Sequence, residues 1–267
     1  MIFTACRDSV RTCIGITLCF DQRNRFFRIL SLGRDSRRSV QVREDALSSK
    51  STPFHPGVIR AMFYEPKKKN HGLAKNPFNS LIVPRPIGWI SSVDAAGIHN
   101  LAPYSFFNAV SYQPPTVMFS AGAGINEDRL KDSARNIELT GDFVCNLATW
   151  ETRDAMNQSS VTAGPEVDEI ALSGLTAIPS QLVKAPRIAE APVHLECRYI
   201  KSVEIPGWTE ADNYRVIFGE VVGIHIDDSV ITDEGLVDIR RMGIISRLGY
   251  NDYARVDADS VFSMERP

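Results

Sequence analysis

The 267-residue chain has no CxxC pair, no cysteine or histidine cluster at metal-ligand spacing and no GxGxxG, so neither a metal site nor a Rossmann nucleotide site is expected. It has no internal repeat and no low-complexity tract. The apolar run CIGITLCF beginning at Cys13 is far below the roughly 20 residues needed to span a bilayer. No Ser/His/Asp set and no Cys/His pair offers a nucleophile, so any chemistry has to come from elsewhere than side-chain catalysis. Net charge is also scarce: a formal −2 gives no sign of a nucleic-acid or anionic-membrane partner. Five cysteines, Cys6, Cys13, Cys19, Cys145 and Cys197, are an odd number without a framework. They argue for a reducing interior and a cytoplasmic location, with Cys145 and Cys197 read as small core residues.

The charge is unevenly placed. Residues 1–43 hold nine arginines against three aspartates, a net of +6, so with −2 overall the remainder carries −8. This basic segment has three readings. As a signal peptide it has a minimal apolar region and no small-residue cleavage site. Its arginine-rich, acid-poor composition suits a mitochondrial presequence. On the third reading, residues 1–57 are an N-terminal extension without fixed structure, outside the fold, and the folded domain runs over 62–267.

What is present is concentrated between Pro84 and Gly122. Three apolar runs of strand length, IGWISSV, IHNLAPYSFF and TVMFSA, are separated by DAAG and SYQPP, which predicts three successive strands with a turn at Gly97. The runs carry many polar residues: Ser91, Ser92, Asn100, Ser105, Asn108, Ser111 and Ser120. An unpartnered buried hydroxyl or amide costs roughly 2–7 kcal/mol, so these groups need either the main chain or a polar ligand. A ligand with a phosphate, a polyhydroxylated chain and a flat ring would use the hydroxyls, the amides freed near prolines, and the rings of Trp89, Tyr104, Phe106 and Phe107. Pro84 and Pro86 bracket Arg85, which implies an edge or bulge; Arg85 itself reads either as a cofactor contact or as a surface arginine. Pro103 removes another ladder donor, so regular pairing is expected to lapse over Ala102–Phe107.

The motifs RPIGWISSVDAAG, NLAPYSFFNAVSYQPP, VMFSAG and KDSARNI, in that order, resemble the flavin reductase-like family of FMN-binding split β-barrels. The resemblance continues in DFVCNLAT, APVHLEC and FGEVVGIHID and covers about 62–267. It implies a mainly β fold with some α, an antiparallel Greek-key-type barrel with short flanking helices. It also implies FMN as cofactor and NAD(P)H as transient co-substrate. By the same resemblance, Ala102, Pro103, Tyr104, Ser105 and Phe106 lie against the flavin, Trp89, Ser91, Ser92 and Ser120 line its site, and Lys131, Asp132 and Ser133 hold its phosphate. Serine stands at 133 where threonine is common, and the hydroxyl is kept. MFYEPKKKNHG resembles the beginning of family members, as if the residues before Met62 followed from an upstream start. Homodimers are typical, and a monooxygenase or another electron-transfer protein is the implied partner.

The remaining chain reads as structure. Asp132 is expected to cap a helix through SARNIELT that Gly141 ends, and a helix start beside a lysine suits an anion. NPFNSLIVPRPIGW is taken as the start of the barrel, DFVCNLAT as a strand and WETRDAMNQSS as a short helix. Asp168 and Glu169 sit in a loop with a helical turn; adjacent helical residues do not converge, so they are taken as surface charges. APVHLECRYIKSVEIP and NYRVIFGEVVGIHIDDSV read as two long strands, with His194 and His225 as hydrogen-bonded structural residues. The segment from Arg247 is expected to pack back on the barrel or on a second subunit. Adjacent strand residues face opposite ways, so at most one of Phe106 and Phe107 meets a ligand. The function expected is an NAD(P)H-dependent flavin reductase, with an electron carrier resembling flavoredoxin as the alternative; the flavin would carry the reactivity.

Overall fold

In the computed structural model the described residues are 61–125 and 129–267, together with the strands β1 (Ile16–Cys19) and β2 (Arg28–Ser31). The chain divides into two units, Met1–Met62 and Phe63–Pro267. In the first, β1 and β2 pair antiparallel with Ile16 opposite Ser31; the rest of the segment expected to lack fixed structure lies outside the described residues.

In the second unit a short helix α1 (Phe78–Leu81) precedes β3 (Gly88–Val93), β4 (His99–Tyr104), β5 (Phe107–Tyr112) and β6 (Pro115–Gly122). NPFNSLIVP is therefore a helical lead-in, and the barrel starts at Gly88. Helix α2 (Asp132–Thr140) and strand β7 (Asp142–Leu147) follow, then α3 (Arg153–Gln158), α4 (Glu169–Leu172), β8 (Ala177–Ile178) and β9 (Arg187–Ile188). The long strands β10 (Val193–Ile205) and β11 (Tyr214–Ile226) come next, and the hairpin β12 (Ile245–Arg247) and β13 (Tyr253–Arg255) ends the fold.

The three expected strands are four, because IHNLAPYSFF breaks at Ser105–Phe106. The strand β4 nevertheless runs through Pro103 to Tyr104, with Pro103 opposite Trp89. It is an edge strand, and the N–H of Leu101, two residues earlier, leaves the ladder for Glu169. The period of two aims the missing N–H of Pro103 the same way, away from β3, so no ladder bond is lost. At the hairpin before β4, Gly97 takes φ 89° and gives its N–H to Asp94.

Seven strands form one antiparallel sheet in the order β4-β3-β7-β10-β11-β6-β5. A flat sheet of that order would separate its edge strands by six spacings of about 4.8 Å, or about 29 Å. The edges β4 and β5 are joined by two residues, and the three steps from Tyr104 to Phe107 reach about 11 Å at most. The sheet must therefore curl until its edges meet. Tyr104 closes the seam, with its ring centroid 4.7 Å from that of Phe119 on β6. No ladder joins β4 to β5 among the described residues, so the barrel is split.

The two faces of β3 define two cores. Ile90 packs with Phe119, Phe143, Cys145, Cys197 and Ile217 and with Ala134 and Ile137 of α2. Trp89, one residue earlier, points the other way and packs with Leu101, Met156, Ile170, Ile188 and Ile245, under α3, α4 and the C-terminal hairpin. The C-terminal segment thus returns to the barrel: Arg247 forms a β-bridge with Arg85, and Ile244 with Thr149.

Candidate functional site

The site is organised around the start of α2. Its N-cap is Lys131, in extended backbone at φ −68° and ψ 145°, whose own side chain makes no capping hydrogen bond. Asp132 is consequently the first helical residue and not the cap; its carboxylate pairs with Arg135 one turn on, at 2.6 Å. Gly141, at φ 83°, ends the helix as expected, its N–H bonded to the Ile137 carbonyl. The loop before α2 is pinched shut by Gly124, which donates to the Arg129 carbonyl at 2.7 Å. A Cβ on Gly124 would lie 2.0 Å from the Leu130 oxygen, so only glycine lets the loop hold Leu130 and Lys131 in this position.

Lys131 stands between two cavities. One, of about 300 Å³, is bordered by Ala121, Gly122, Arg129, Tyr214 and Arg215. The other, of about 130 Å³, brings Ala102, Pro103 and Tyr104 of β4 against Lys131, Asp132 and Ser133, with Ser160, Thr162 and Glu169 on its far side. Six of the residues expected at the flavin therefore share one cleft. Ser105 lies in a neighbouring cavity of about 490 Å³, beside Arg85 and Pro103. Phe106 and Phe107 diverge: Phe107 packs against the barrel core, while Phe106 lies 6.0 Å from the Tyr214 ring.

Four residues are placed elsewhere. Trp89 is wholly buried, its indole N–H bonded to Ser159 at 2.9 Å. The Ser91 hydroxyl donates to the Pro186 carbonyl at 2.5 Å and accepts from Asn146 at 3.0 Å. Ser92 donates to Asn100 at 3.3 Å. The main chain of Ser120 donates to the Phe106 carbonyl at 2.8 Å. The polar groups of β3 are thus satisfied by protein partners, and Ser91 and Ser92 face opposite sides of the sheet. Arg85 is neither a surface arginine nor an unengaged one: it is buried and donates to the carbonyls of Asn79, Ile82 (2.7 Å) and Leu248 (2.9 Å), joining the lead-in to the C-terminal segment.

The residue that the sequence concealed is Glu169. It is 5% exposed and no surface charge. Asp168 caps α4, accepting from the Ile170 and Ala171 amides, and this turns the next side chain inward over the edge of β4. The Glu169 carboxylate accepts from the Leu101 N–H at 3.3 Å and from Asn100 Nδ2 at 3.1 Å. Asn100 Oδ1 in turn accepts from Ser133 at 2.6 Å, and Ser133 Oγ accepts from the Tyr104 hydroxyl at 3.2 Å. A chain of polar groups thus runs from α4 through β4 to the first turn of α2. Burial raises the Glu169 pKa, partly offset by these hydrogen bonds, with nearby Asp132 adding to the rise. Burial likewise pushes the Tyr104 phenol up to about 12, against the bond to Ser133 and together with Asp132 and Glu169. The phenol is therefore a neutral donor at physiological pH.

The histidines serve structure. His194 bonds the Ile188 carbonyl at 2.8 Å and is held neutral by burial, its pKa lowered. His225 meets the buried Glu196 at 2.5 Å, and Glu196 also accepts from the Gln181 and Leu182 amides. Among the described residues no group of three or more His, Cys, Asp or Glu could hold a metal ion.

Residues 80–243 match the model of the flavin reductase like domain. A protein of Aquifex aeolicus is 38% identical over 175 residues, 66% of this chain and 86% of that protein. Among solved structures, nitrilotriacetate monooxygenase component B from Bacillus cereus aligns with a TM-score of 0.67 and 28% identity, over 76% of this chain and 99% of that one. Flavoredoxin of Desulfovibrio vulgaris shares the fold, with a TM-score of 0.58 and 20% identity over 69% and 91%. An antiparallel sheet split at Tyr104–Phe107 and a match spanning β3 to β11 lead to one conclusion: the chain belongs to the flavin reductase-like domain family.

Proposed function

We propose that the protein is an FMN-binding oxidoreductase, an NAD(P)H-dependent flavin reductase that delivers reduced flavin to a separate monooxygenase. The observation that carries this reading is the position of Lys131 at the start of α2, on a cleft whose opposite wall is the edge-strand segment Ala102–Tyr104. The residues present fit the cofactor. A helix start and an ammonium favour a phosphate; the hydroxyls of Ser133, Ser160 and Thr162 suit a polyhydroxylated chain. Bound there, the flavin would supply the hydride chemistry.

The protein's own tasks are to bind, orient and exclude water. Glu169 fixes Asn100, Asn100 fixes Ser133, and Ser133 holds the Tyr104 hydroxyl, so the wall that faces Lys131 is set before any ligand arrives. The B. cereus protein named a monooxygenase component supports the two-component role. A second copy of the chain belongs to the same reading: β5 is an edge strand with Val110 and Tyr112 exposed, a surface that a twofold partner would cover.

Absorbance of the purified protein with added FMN, followed by anaerobic mixing with NADH or NADPH, tests the proposal. Flavin binding and rapid bleaching by at least one reductant are expected. Protein that stays yellow with both is an electron carrier and no reductase; failure to bind FMN removes the redox reading altogether.

A further inference from the structure

The cleft at Lys131 has a charge balance that a phosphate upsets. Among the described residues that border it, one cation, Lys131, stands with two carboxylates, Asp132 and Glu169. Asp132 has Arg135 at 2.6 Å. Glu169 is in no ion pair: the bonds it accepts from the Leu101 N–H and from Asn100 Nδ2 both end on Oε2, and among the described residues Oε1 receives none from another residue. A carboxylate this buried, bordering a cleft with one oxygen free, lacks a partner that only a ligand supplies.

Glu169 is also close to the first turn of α2. The Asn100 amide joins it to Ser133 through bonds of 3.1 and 2.6 Å, so Oε2 and the Ser133 hydroxyl are about 8 Å apart at most. The groups around it offer no charge to offset a phosphate beyond Lys131. His99 of β4 lies 3.3 Å from Asp168, the Tyr104 phenol is neutral, and α3 meets the cleft through the serines at its end, Ser159 and Ser160. Asp132 already acts on Glu169 as a like charge, and a phosphate brings a charge of about −2 to the same turn. We infer that FMN binding is coupled to protonation of Glu169: the carboxylate takes up one proton from solvent as the phosphate enters, and its free oxygen then donates a hydrogen bond to the ligand. The proton removes a like-charge repulsion and turns an acceptor into a donor. This rests on the FMN-binding reading and makes Glu169 a pH-dependent part of the same site. FMN is then held more weakly as pH rises from the Glu169 pKa of the free protein to the higher one of the complex, by up to about tenfold per pH unit for a one-proton linkage.

Calorimetric titration of FMN into the protein, repeated in buffers of different ionisation enthalpy, counts the protons taken up. The phosphate's own second ionisation, near pH 6, acts the other way because Lys131 favours the dianion, so the count is made at and above neutrality, where the phosphate is already doubly charged. Uptake approaching one proton per FMN is expected, with almost none for riboflavin, which brings no phosphate. Glu169→Gln should abolish the uptake and flatten the pH dependence of FMN affinity, an effect that a purely structural role would not produce. The riboflavin comparison uses the unaltered protein and so decides the matter even where Glu169→Gln folds poorly. FMN binding without proton uptake, equal uptake with riboflavin, or uptake retained in Glu169→Gln overturns the inference. Should FMN bind and be bleached by NADH or NADPH with no proton taken up, only the role of Glu169 falls; should FMN not bind at all, the redox reading falls with it.

Discussion

Asn100 donates Nδ2 to the buried Glu169 carboxylate at 3.1 Å, and the same amide accepts the Ser133 hydroxyl at 2.6 Å. Glu169 thus decides which way the Asn100 amide is turned and, through it, where the hydroxyl of the first turn of α2 lies. Removing the carboxylate leaves two buried donors, Asn100 Nδ2 and the Leu101 N–H, without an acceptor. At about 1–3 kcal/mol for each unsatisfied group, Glu169→Ala should lose about 2–6 kcal/mol of stability in urea denaturation. Glu169→Gln retains an acceptor oxygen and should lose less; equal losses would show that the hydrogen bonds are not what matters.

The same residue should mark the pH dependence of stability. Burial raises the Glu169 pKa in the native state, so the folded protein holds this proton more tightly than the unfolded chain. The contribution is fully present below the ordinary carboxylate pKa and is lost as pH rises through the raised value. As pH rises above the ordinary carboxylate range toward neutrality, the unaltered protein should therefore lose more stability than Glu169→Gln does. Parallel urea midpoints for the two across that range would contradict the assignment.

Lys131→Ala should separate phosphate recognition from ring recognition. Without its ammonium at the mouth of α2, the protein should bind FMN about tenfold or more weakly and riboflavin nearly as before, because only FMN offers a phosphate for a charge-assisted hydrogen bond. Fluorescence titration with both ligands measures the difference, and equal weakening would take Lys131 out of the phosphate site.

Gly219, in the middle of β11, tests the barrel interior. A Cβ there would lie 2.4 Å from the Phe143 ring and 3.2 Å from Cys197 Cβ, so Gly219→Ala should destabilise by about 1–3 kcal/mol through overpacking. Combining it with Phe143→Leu should cost less than the sum of the single changes, because the smaller side chain vacates the contested space. Additive losses in thermal or urea unfolding would place the strain elsewhere.

Much of this site could be read along the chain where a rule of local geometry applied. Alternation separated Phe106 from Phe107, and Gly141 marked the end of α2. The misreadings share a cause. Ser91 and Ser92 carried the expected polarity within an apolar run, but a strand's period of two sends them to opposite faces, and each found a protein partner, the distant Pro186 for one and Asn100 directly across the hairpin for the other. Glu169 next to Asp168 looked like paired surface charge until the capping role of Asp168 turned its neighbour over the edge of β4. Arg85 between two prolines gave no sign that three main-chain carbonyls from two segments would enclose it.

The sequence by itself determined the long strands β10 and β11, the end of α2 and the family, because these depend on periodicity, backbone preference and motif order within a few residues of each other. Which side chains share a cleft was decided only by the tertiary structure. A two-residue corner at Ser105–Phe106 forces a seven-stranded sheet to curl, and that closure brings Tyr104 on one edge strand against Phe119 at the other end of the sheet. Contacts made across such a seam depend on how the whole sheet bends, and no local stretch of sequence encodes that.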